Sequence, residues 1–323
     1  MSKNNIAGLE ELENDEELKG IWVRAKEERK KIKKATKKFI IIPDIVISVI
    51  VIVFAIIIKG IGAMALPFII VPVLIVNIIT YTVIAVKNGK EIGEYNKIFK
   101  DKIINKIFNA TFDDVDYVPL KPMPENVYNE VEYESYDRYH SDDYVEGKID
   151  NKYKFVMAEV TTEERRVEED SNGNTTTKYV TLFSGLFIKI NIGKSINNQL
   201  IIGGLGAYSG GLMNNKEYVT MDSSEFRKYF SVISSDKILA MRILTADIME
   251  MLVDFREKIK SPLDIYIKNN ILYIRIAVGS MFEGNVNTSE IIDKKLVQSY
   301  FEVVDFIYSL STQIIKVVEE TDI

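Results

Sequence analysis

The sequence predicts an α+β protein in which a two-helix transmembrane hairpin precedes a cytoplasmic antiparallel-sheet domain with a long C-terminal helix. Three observations support this prediction. Residues 39–86 are almost entirely apolar, residues beyond 126 alternate polar and apolar side chains as strands do, and the C-terminal residues repeat apolar side chains at helical spacing. At 323 residues, the chain is long enough for a membrane unit and a soluble domain.

The apolar stretch at residues 39–86 has two ionisable side chains, Asp44 and Lys59. A bilayer core about 30 Å thick needs about 20 apolar residues in a helix. The stretch supplies two such segments, residues 39–58 and 64–86, separated by a glycine-containing turn. We therefore expect a multi-pass protein of the cell membrane with two spans.

Positive charge is concentrated on both sides of this hairpin. Residues 21–38 contain nine Lys and Arg, and residues 87–106 contain six lysines, whereas the turn contains only Lys59. Because positive flanks remain on the cytoplasmic side, both termini are predicted to be cytoplasmic. Residues 107–323 carry 23 basic against 35 acidic side chains. This argues against nucleic acid as a partner. The lipid bilayer is the expected partner, and a protein partner or homo-oligomer is left open.

The patterns divide the chain into five segments. Residues 1–38 are predicted to form an acidic and then basic cytoplasmic helix, followed by the hairpin at 39–86. Residues 87–109 have apolar side chains at spacings of three and four, which predicts an amphipathic stalk helix packed on the first helix. Residues 110–125 contain three prolines and are predicted to be a linker. Residues 126–323 form the predicted soluble domain.

Strands are predicted at the start of the soluble domain, from the alternation of side chains. The predicted strands are residues 127–133, 142–149, 152–169 and 175–192. Asn172 and Gly173 lie between the last two, and Asn-Gly is a strong hairpin signal. A second hairpin is predicted through Asn269 and Asn270, and a helix at residues 245–259.

The final element is predicted to be a helix over residues 288–319. Its apolar seam repeats at spacings of four and three, at Leu296, Tyr300, Val303, Ile307, Leu310, Ile314 and Val317. The seam is compatible with packing on the sheet of the same chain or with pairing to a second copy. Additional apolar side chains widen the face, which favours packing within the domain.

The densest polar cluster lies at residues 137–146. Asp142, Asp143 and Glu146 offer the oxygen ligands that suit a divalent cation, but they lack the spacing of a known cation loop. A capped turn before a strand is the competing interpretation. His140 and Ser141 are adjacent on an extended chain and point to opposite faces, which argues against a hydrolytic triad.

A glycine-rich run at residues 203–211 follows a predicted strand. Gly204, Gly206 and Gly210 have one spacer too many for the dinucleotide fingerprint, and no helical pattern follows. We interpret the run as a loop that is able to close over a ligand. The chain has no cysteine and a single histidine, which excludes thiolate metal sites and sites that need two imidazoles. No catalytic residue, metal site or cofactor is predicted.

Six short motifs occur in an order that resembles a known family. They are Ser-Asp-Asp-Tyr-Val-Glu-Gly at 141–147, Ala-Glu-Val at 158–160, Thr-Leu-Phe-Ser-Gly-Leu-Phe at 181–187, Phe-Ser-Val at 230–232, Ser-Ser-Asp at 234–236 and Ile-Leu-Thr at 243–245. Over roughly residues 90–320 the chain resembles the bacterial family called domain of unknown function 3137. Ser184 stands where arginine is expected. The resemblance implies two membrane spans ahead of the domain, and it transfers no catalytic residue because the family has no assigned activity.

Two functional hypotheses follow. The first is an integral membrane protein that presents a cytoplasmic interaction or regulatory domain without catalysis. The second is a membrane-tethered enzyme or ligand sensor that uses the carboxylates of residues 137–146 and the glycine-rich loop at 203–211. The second hypothesis requires these two segments to line one pocket.

Overall fold

The computed structural model describes residues 15–37, 90–169, 175–204 and 217–320. These residues divide into two compact units. The larger unit consists of residues 103–169, 175–204, 217–283 and 295–320. The smaller unit consists of residues 15–37, 90–102 and 284–294.

The predicted hairpin at residues 39–86 lies outside the described residues, as do Gly206 and Gly210. Among the helices that are described, none is both long and apolar enough to cross a membrane. The two spans and the cytoplasmic position of the termini therefore stay predictions.

Two helices form the smaller unit, α1 (Glu16–Thr36) and α2 (Lys90–Phe99). Asp15 starts α1 because its carboxylate accepts a hydrogen bond from Leu18 N at 2.8 Å. Acidic residues in the first turn and lysines in the last turn match the helix dipole.

Apolar and charged contacts join α1 and α2. The buried side chains are Leu18, Ile21 and Ala25 on α1 and Tyr95 and Phe99 on α2. The Glu28 carboxylate accepts a hydrogen bond from Ile92 N at 3.1 Å, and Arg24 Nε lies 3.0 Å from Glu91 Oε2. Helix α2 covers residues 90–99 of the segment predicted as the stalk, residues 87–109, and lies against α1.

The larger unit is a seven-stranded sheet with helices. After a π-helical turn (Lys100–Ile104), the helices are α3 (Asn105–Thr111), α4 (Glu125–Tyr128), α5 (Phe226–Tyr229), α6 (Lys237–Ile243), α7 (Ala246–Ile259) and α8 (Lys294–Glu320). The strands are β1 (Asp113–Val118), β2 (Arg138–Ile149), β3 (Tyr153–Glu169), β4 (Thr175–Gly204), β5 (Glu217–Tyr218), β6 (Phe230–Ser234) and β7 (Leu263–Ile276). The strand order is β1-β2-β3-β4-β6-β5, with β7 paired to β4 and every pair antiparallel. The predicted α+β class with antiparallel sheet and a long C-terminal helix is confirmed.

Strand β4 is the centre of the sheet. Its first part pairs with β3 from Thr175 to Ile190, opposite Glu169 to Phe155. From Leu186 its other edge pairs with β7, and near its end β6 replaces β3. The predicted hairpin strands at 152–169 and 175–192 are thus confirmed as paired strands, and β4 extends beyond the prediction to Gly204.

The segment predicted as a linker, residues 110–125, contains strand β1. Tyr117 and Val118 pair with Val145 and Tyr144 of β2. The three prolines lie after β1, at positions 119, 122 and 124, and therefore do not interrupt its ladder. The sheet begins before residue 126.

The predicted strand at residues 127–133 is wrong. Glu125–Tyr128 instead forms one helical turn after Pro124. The alternating apolar residues of this segment enter an aromatic cluster, in which the Tyr128 ring lies 5.0 Å from that of Phe187. A tertiary aromatic cluster thus replaces the strand pairing that the alternation predicted.

The second predicted hairpin, through Asn269 and Asn270, is also wrong. Residues 263–276 form one strand, and both halves pair with β4. Asn269 has a φ of +56° and faces Ile196, where the register of β4 shifts. The asparagine that suggested a turn instead adopts a positive φ that accommodates an irregularity in the ladder.

The helix predicted at residues 245–259 is confirmed as α7, and the helix predicted at 288–319 is confirmed as α8 except that it begins later, at Lys294. Thr245 caps α7 by accepting from Ile248 N at 3.3 Å. Helix α8 buries eleven side chains within the chain, including Ile307. Phe306 stacks on Phe255 of α7 with ring centroids 3.6 Å apart. The C-terminal helix therefore packs within the domain.

Candidate functional site

A β-bulge in β2 brings carboxylates together. Asp142 pairs with Glu159 of β3, and the next paired residues are Val145 and Met157, so β2 contains one extra residue between the two pairs. Asp143 lies in this bulge with a φ of +53°. A bulge changes the normal alternation of side chains between the two faces, so adjacent residues 142 and 143 are able to point toward one site.

Three carboxylates meet at this bulge. Oxygens of Asp142, Asp143 and Glu159 lie within 4.8 Å of one another, and Asp143 and Glu159 are buried. Ca²⁺ binds oxygens at about 2.3–2.6 Å. Oxygens on opposite sides of one such ion are therefore about 4.6–5.2 Å apart, which agrees with the observed cluster. The three side chains are able to hold one hard divalent cation.

Each buried carboxylate has neighbouring donors. Glu159 Oε1 accepts from Met281 N at 2.7 Å and from Phe282 N at 3.0 Å. Tyr117 donates to Asp143 Oδ1 at 2.6 Å. Burial nevertheless raises the pKa of Glu159 to about 7, since desolvation disfavours its charged form more than the two N–H groups stabilise it.

A cavity of about 240 Å³ opens onto the carboxylates, and Asp142 and Glu159 are among its lining residues. Ser184 Oγ lies 3.1 Å from Thr161 Oγ1 at its wall. Gly185 is needed beside them because a Cβ at this position would lie 2.0 Å from Ile276 O. His140 and Ser141 are among the polar residues of its lining, and the cavity is large enough for hydrated ions or small polar ligands.

The structure separates the residues that the sequence grouped as a possible ligand set. Asp142 and Asp143 lie together, whereas Glu146 is exposed and accepts a hydrogen bond from Tyr144 OH at 3.0 Å. Gly204 ends β4 and does not line the carboxylate cavity. Since Gly206 and Gly210 are outside the described residues, a shared pocket with the glycine-rich run is not tested.

Glu159 is the member of the cluster that the sequence reasoning missed. It lies in the Ala-Glu-Val motif, where a lone glutamate between apolar residues of a long strand indicates a buried charge. That signal gives no partner, because the bulge and the register place Glu159 beside Asp142.

A second buried charge cluster has its partners inside the fold. Arg275 Nε and Nη2 donate to Asp264 Oδ2 at 3.1 and 2.9 Å, and its Nη1 contacts Glu134. The guanidinium also lies over the Tyr133 ring, 4.0 Å from its centroid. Because carboxylates and an aromatic face already surround the guanidinium, we assign the cluster a structural role.

An exposed two-stranded ribbon is the other prominent feature of the larger unit. Residues 163–169 of β3 and 175–182 of β4, which we call the β3–β4 arm, begin at Glu163, the last residue of β3 that β2 covers, and pair with each other beyond it. Val167, Tyr179 and Leu182 are exposed apolar side chains on this arm. Large exposed apolar side chains that cluster together are typical of interaction surfaces.

Comparisons with known proteins add the following. Residues 181–316 match the family described as protein of unknown function (DUF3137), which confirms the resemblance. No curated protein matches the chain. The crystal structure of the mycobacterial trehalose monomycolate transport factor A, TtfA, is similar at 10% identity and a TM-score of 0.35, over 67% of this chain and 93% of that one. This structural likeness is too weak to carry an argument.

Proposed function

For a chain that resembles the DUF3137 family, we propose a membrane-anchored interaction or regulatory domain without catalysis. Residues 39–86 hold the protein in the cell membrane, and the α+β domain presents the β3–β4 arm on the cytoplasmic side. The observation that carries the proposal is the exposure of this arm. Two strands continue past the sheet, where they support no core of their own.

The composition of the arm supports an interaction role. A two-stranded ribbon alone is marginally stable in water, and the arm is held by local contacts. Lys178 Nζ lies 2.5 Å from Glu168, and the Arg138 guanidinium lies 3.2 Å from the centroid of the Tyr179 ring. These contacts keep the ribbon ordered while Val167 and Tyr179 stay partly exposed. Pre-ordering lowers the entropic cost of binding a partner.

A shortened arm tests this function. Glu164 and Val180 are strand partners, so replacing residues 165–179 by Asn-Gly joins the two strands through a tight turn. In membranes, the full-length chain should cross-link to partner proteins, and the shortened variant should no longer cross-link to them. Equal thermal unfolding of the two purified proteins in detergent controls for folding. An unchanged set of cross-linked proteins would contradict the proposal.

Binding of a divalent cation is a second candidate function, favoured by the cluster of Asp142, Asp143 and Glu159. The oxygens of these three carboxylates lie within 4.8 Å of one another, and a divalent cation bound between them would be favoured by their negative charge. A bound cation would link β2 to β3 and would thereby act on the neighbouring arm. This version of the ligand-sensor hypothesis needs no contribution from the glycine-rich run.

Calorimetric titration of the full-length protein with Ca²⁺, Mg²⁺ and Mn²⁺ tests this candidate. Asp143→Asn preserves a residue type that tolerates positive φ, and Glu159→Gln preserves an acceptor for the two N–H groups. Both should weaken binding at least about tenfold, as expected for a lost charged ligand. Glu146→Gln is the matched control and should bind like the wild type. Equal loss in all three variants, or no binding at millimolar cation, would rule out this site.

A further inference from the structure

We propose that the outer edge of β4 in the β3–β4 arm pairs with the same edge of a second copy of this chain. The two arms would form one four-stranded antiparallel sheet across a two-fold axis. This inference rests on the proposed function, since it names the partner of the arm. It goes further by specifying the backbone edge and the symmetry of the contact.

Both edges of the arm are uncovered by the strands that the structure describes. On one side, β2 last pairs with β3 at Arg138 and Glu163. On the other side, β7 first meets β4 at Leu186. On β4 the uncovered edge ends before Ser184, whose carbonyl accepts a hydrogen bond from Gly279 N at 3.0 Å. On β3, Arg165 N donates to Asp137 Oδ2 at 2.6 Å. Residues 175–183 of β4 and the remainder of 164–169 of β3 therefore present backbone donors and acceptors that no described strand uses. Free edges of this kind are templates for pairing with another chain.

The two edges differ in their protection. Natural proteins guard free edges with charged residues, and five of the six residues at 164–169 are charged. Residues 175–182 read Thr-Thr-Thr-Lys-Tyr-Val-Thr-Leu, with Lys178 as the one charge. That lysine contacts Glu168 of its own arm. The β4 edge thus combines high strand propensity with little charge, and it lacks the usual protection against pairing.

The β4 edge is complementary to itself. An antiparallel two-fold pairing centred on Tyr179 places Thr177 opposite Thr181 and Lys178 opposite Val180. Cross-strand threonine pairs are favourable, and like charges directly opposite are avoided. The acidic β3 edges, with three glutamates and two arginines at residues 164–169, then lie on the outside. The two β3 strands of the dimer are then separated by three strand spacings, which is about 14 Å. Identical surfaces on the two partners are what a two-fold dimer requires.

The first experiment uses the absence of cysteine from the chain. Single cysteines at Thr177, Tyr179 and Thr181, in the full-length protein in membranes, report the distance to the same residue in the second copy. Mild oxidation should give a disulfide-linked dimer, strongest for Tyr179→Cys at the two-fold axis. Val167→Cys on the β3 edge is the matched control and should stay monomeric. No dimer in any β4 variant, or an equal yield with Val167→Cys, would overturn the inference.

The second experiment introduces a positive or a negative charge at position 180. In the proposed pairing, Val180→Lys faces Lys178 of the other copy, whereas Val180→Glu faces it with an opposite charge. The two substitutions have the opposite effect on the stability of a single arm, because residue 180 pairs with Glu164. Within the arm, Val180→Lys faces an opposite charge and Val180→Glu faces a like charge. Two symmetric pairs should raise the dimer dissociation constant about 5- to 30-fold for Val180→Lys, measured by light scattering in detergent. Val180→Glu should bind as well as wild type or better.

The outcomes separate the inference from the proposed function. Weaker dimers with Val180→Glu than with Val180→Lys would mean that stability of the single arm controls the result, and they would overturn the inference. Another outcome is a wild-type protein that proves monomeric although shortening the arm abolishes its cross-links to other proteins. This result would also overturn the inference, while the proposed interaction function would stand. A dimer that survives arm shortening would overturn the inference and remove the support that dimerisation gives to the function.

Discussion

Glu159 shows how one residue links the site to stability. Its carboxylate is buried, and burial raises its pKa to about 7 from an ordinary value of 4.5. Below pH 4.5 the side chain is protonated in the folded and unfolded states and has no effect. Between pH 4.5 and 7 the unfolded chain releases the proton first, so the free energy of unfolding falls as the pH rises.

Glu159→Gln should remove this loss of stability. The shift in pKa corresponds to about 3 kcal/mol, so the variant should be more stable than the wild type above pH 7 by up to that amount. The difference should vanish near pH 4. Chemical unfolding of the protein in EDTA, followed between pH 4 and 8, measures the effect without bound cations.

Glu146→Gln provides the control for this measurement, since Glu146 is an exposed acidic residue on the adjacent strand. Its pH profile should follow that of the wild type. If Glu159→Gln instead destabilises the protein at pH 8, the charged carboxylate is needed for the fold, and the assignment of burial as the dominant effect is incorrect.

At the scale of elements, helix α8 contacts several separate segments of the larger unit. Tyr300 donates to Glu283 O at 2.9 Å, and Tyr308 donates to Asp150 Oδ1 at 2.8 Å. The Phe112 and Tyr308 rings lie 5.9 Å apart. Contacts to several different elements mean that the seam predicted as a possible dimer interface is occupied inside the chain.

Ile307→Ala tests this packing. Ile307 is fully buried, so its truncation should cost about 2–5 kcal/mol of unfolding free energy. The cost should be the same at every protein concentration, because the side chain packs within one chain. Denaturant titrations at two concentrations measure it.

Leu296→Ala is the control at the half-buried start of the seam and should cost less. Light scattering of Ile307→Ala should give the same oligomer mass as the wild type, since the β3–β4 arm and not α8 is the proposed contact between copies. A smaller mass would instead identify α8 as a dimer seam.

At the scale of the whole molecule, the predicted membrane hairpin would determine where the domain works. Residues 39–86 contain two ionisable side chains, and basic residues flank them on both sides. A hairpin with these flanks returns the chain to the side from which it started. The α+β domain and the acidic N-terminus would then share the cytoplasm.

Reporter fusions test the topology. A reporter that is active only in the cytoplasm should be active after Ile323 and inactive when inserted at Gly60. A reporter that is active only outside the cytoplasm should give the opposite result. Activity of the second reporter at Ile323 would contradict both the orientation and the cytoplasmic site of the proposed interaction.

Local patterns were sufficient for several elements of this protein. The paired strands on either side of residues 170–174, the capped helix α7 and the long helix α8 all follow from side-chain periodicity and turn chemistry within a few residues. The proximity of Asp142 and Asp143 to a candidate site also follows from local composition. These features depend on near neighbours along the chain, which the sequence shows directly.

Other features depend on contacts between residues far apart in the chain. Asp142 meets Glu159 through the register of two strands and a bulge, and Arg275 finds Glu134 across 141 residues. The aromatic cluster turns residues 125–128 into a helical turn, and the shifted register of β4 keeps residues 263–276 in one strand. Register and packing are set by the free energy of the assembled core, and no local pattern contains that information.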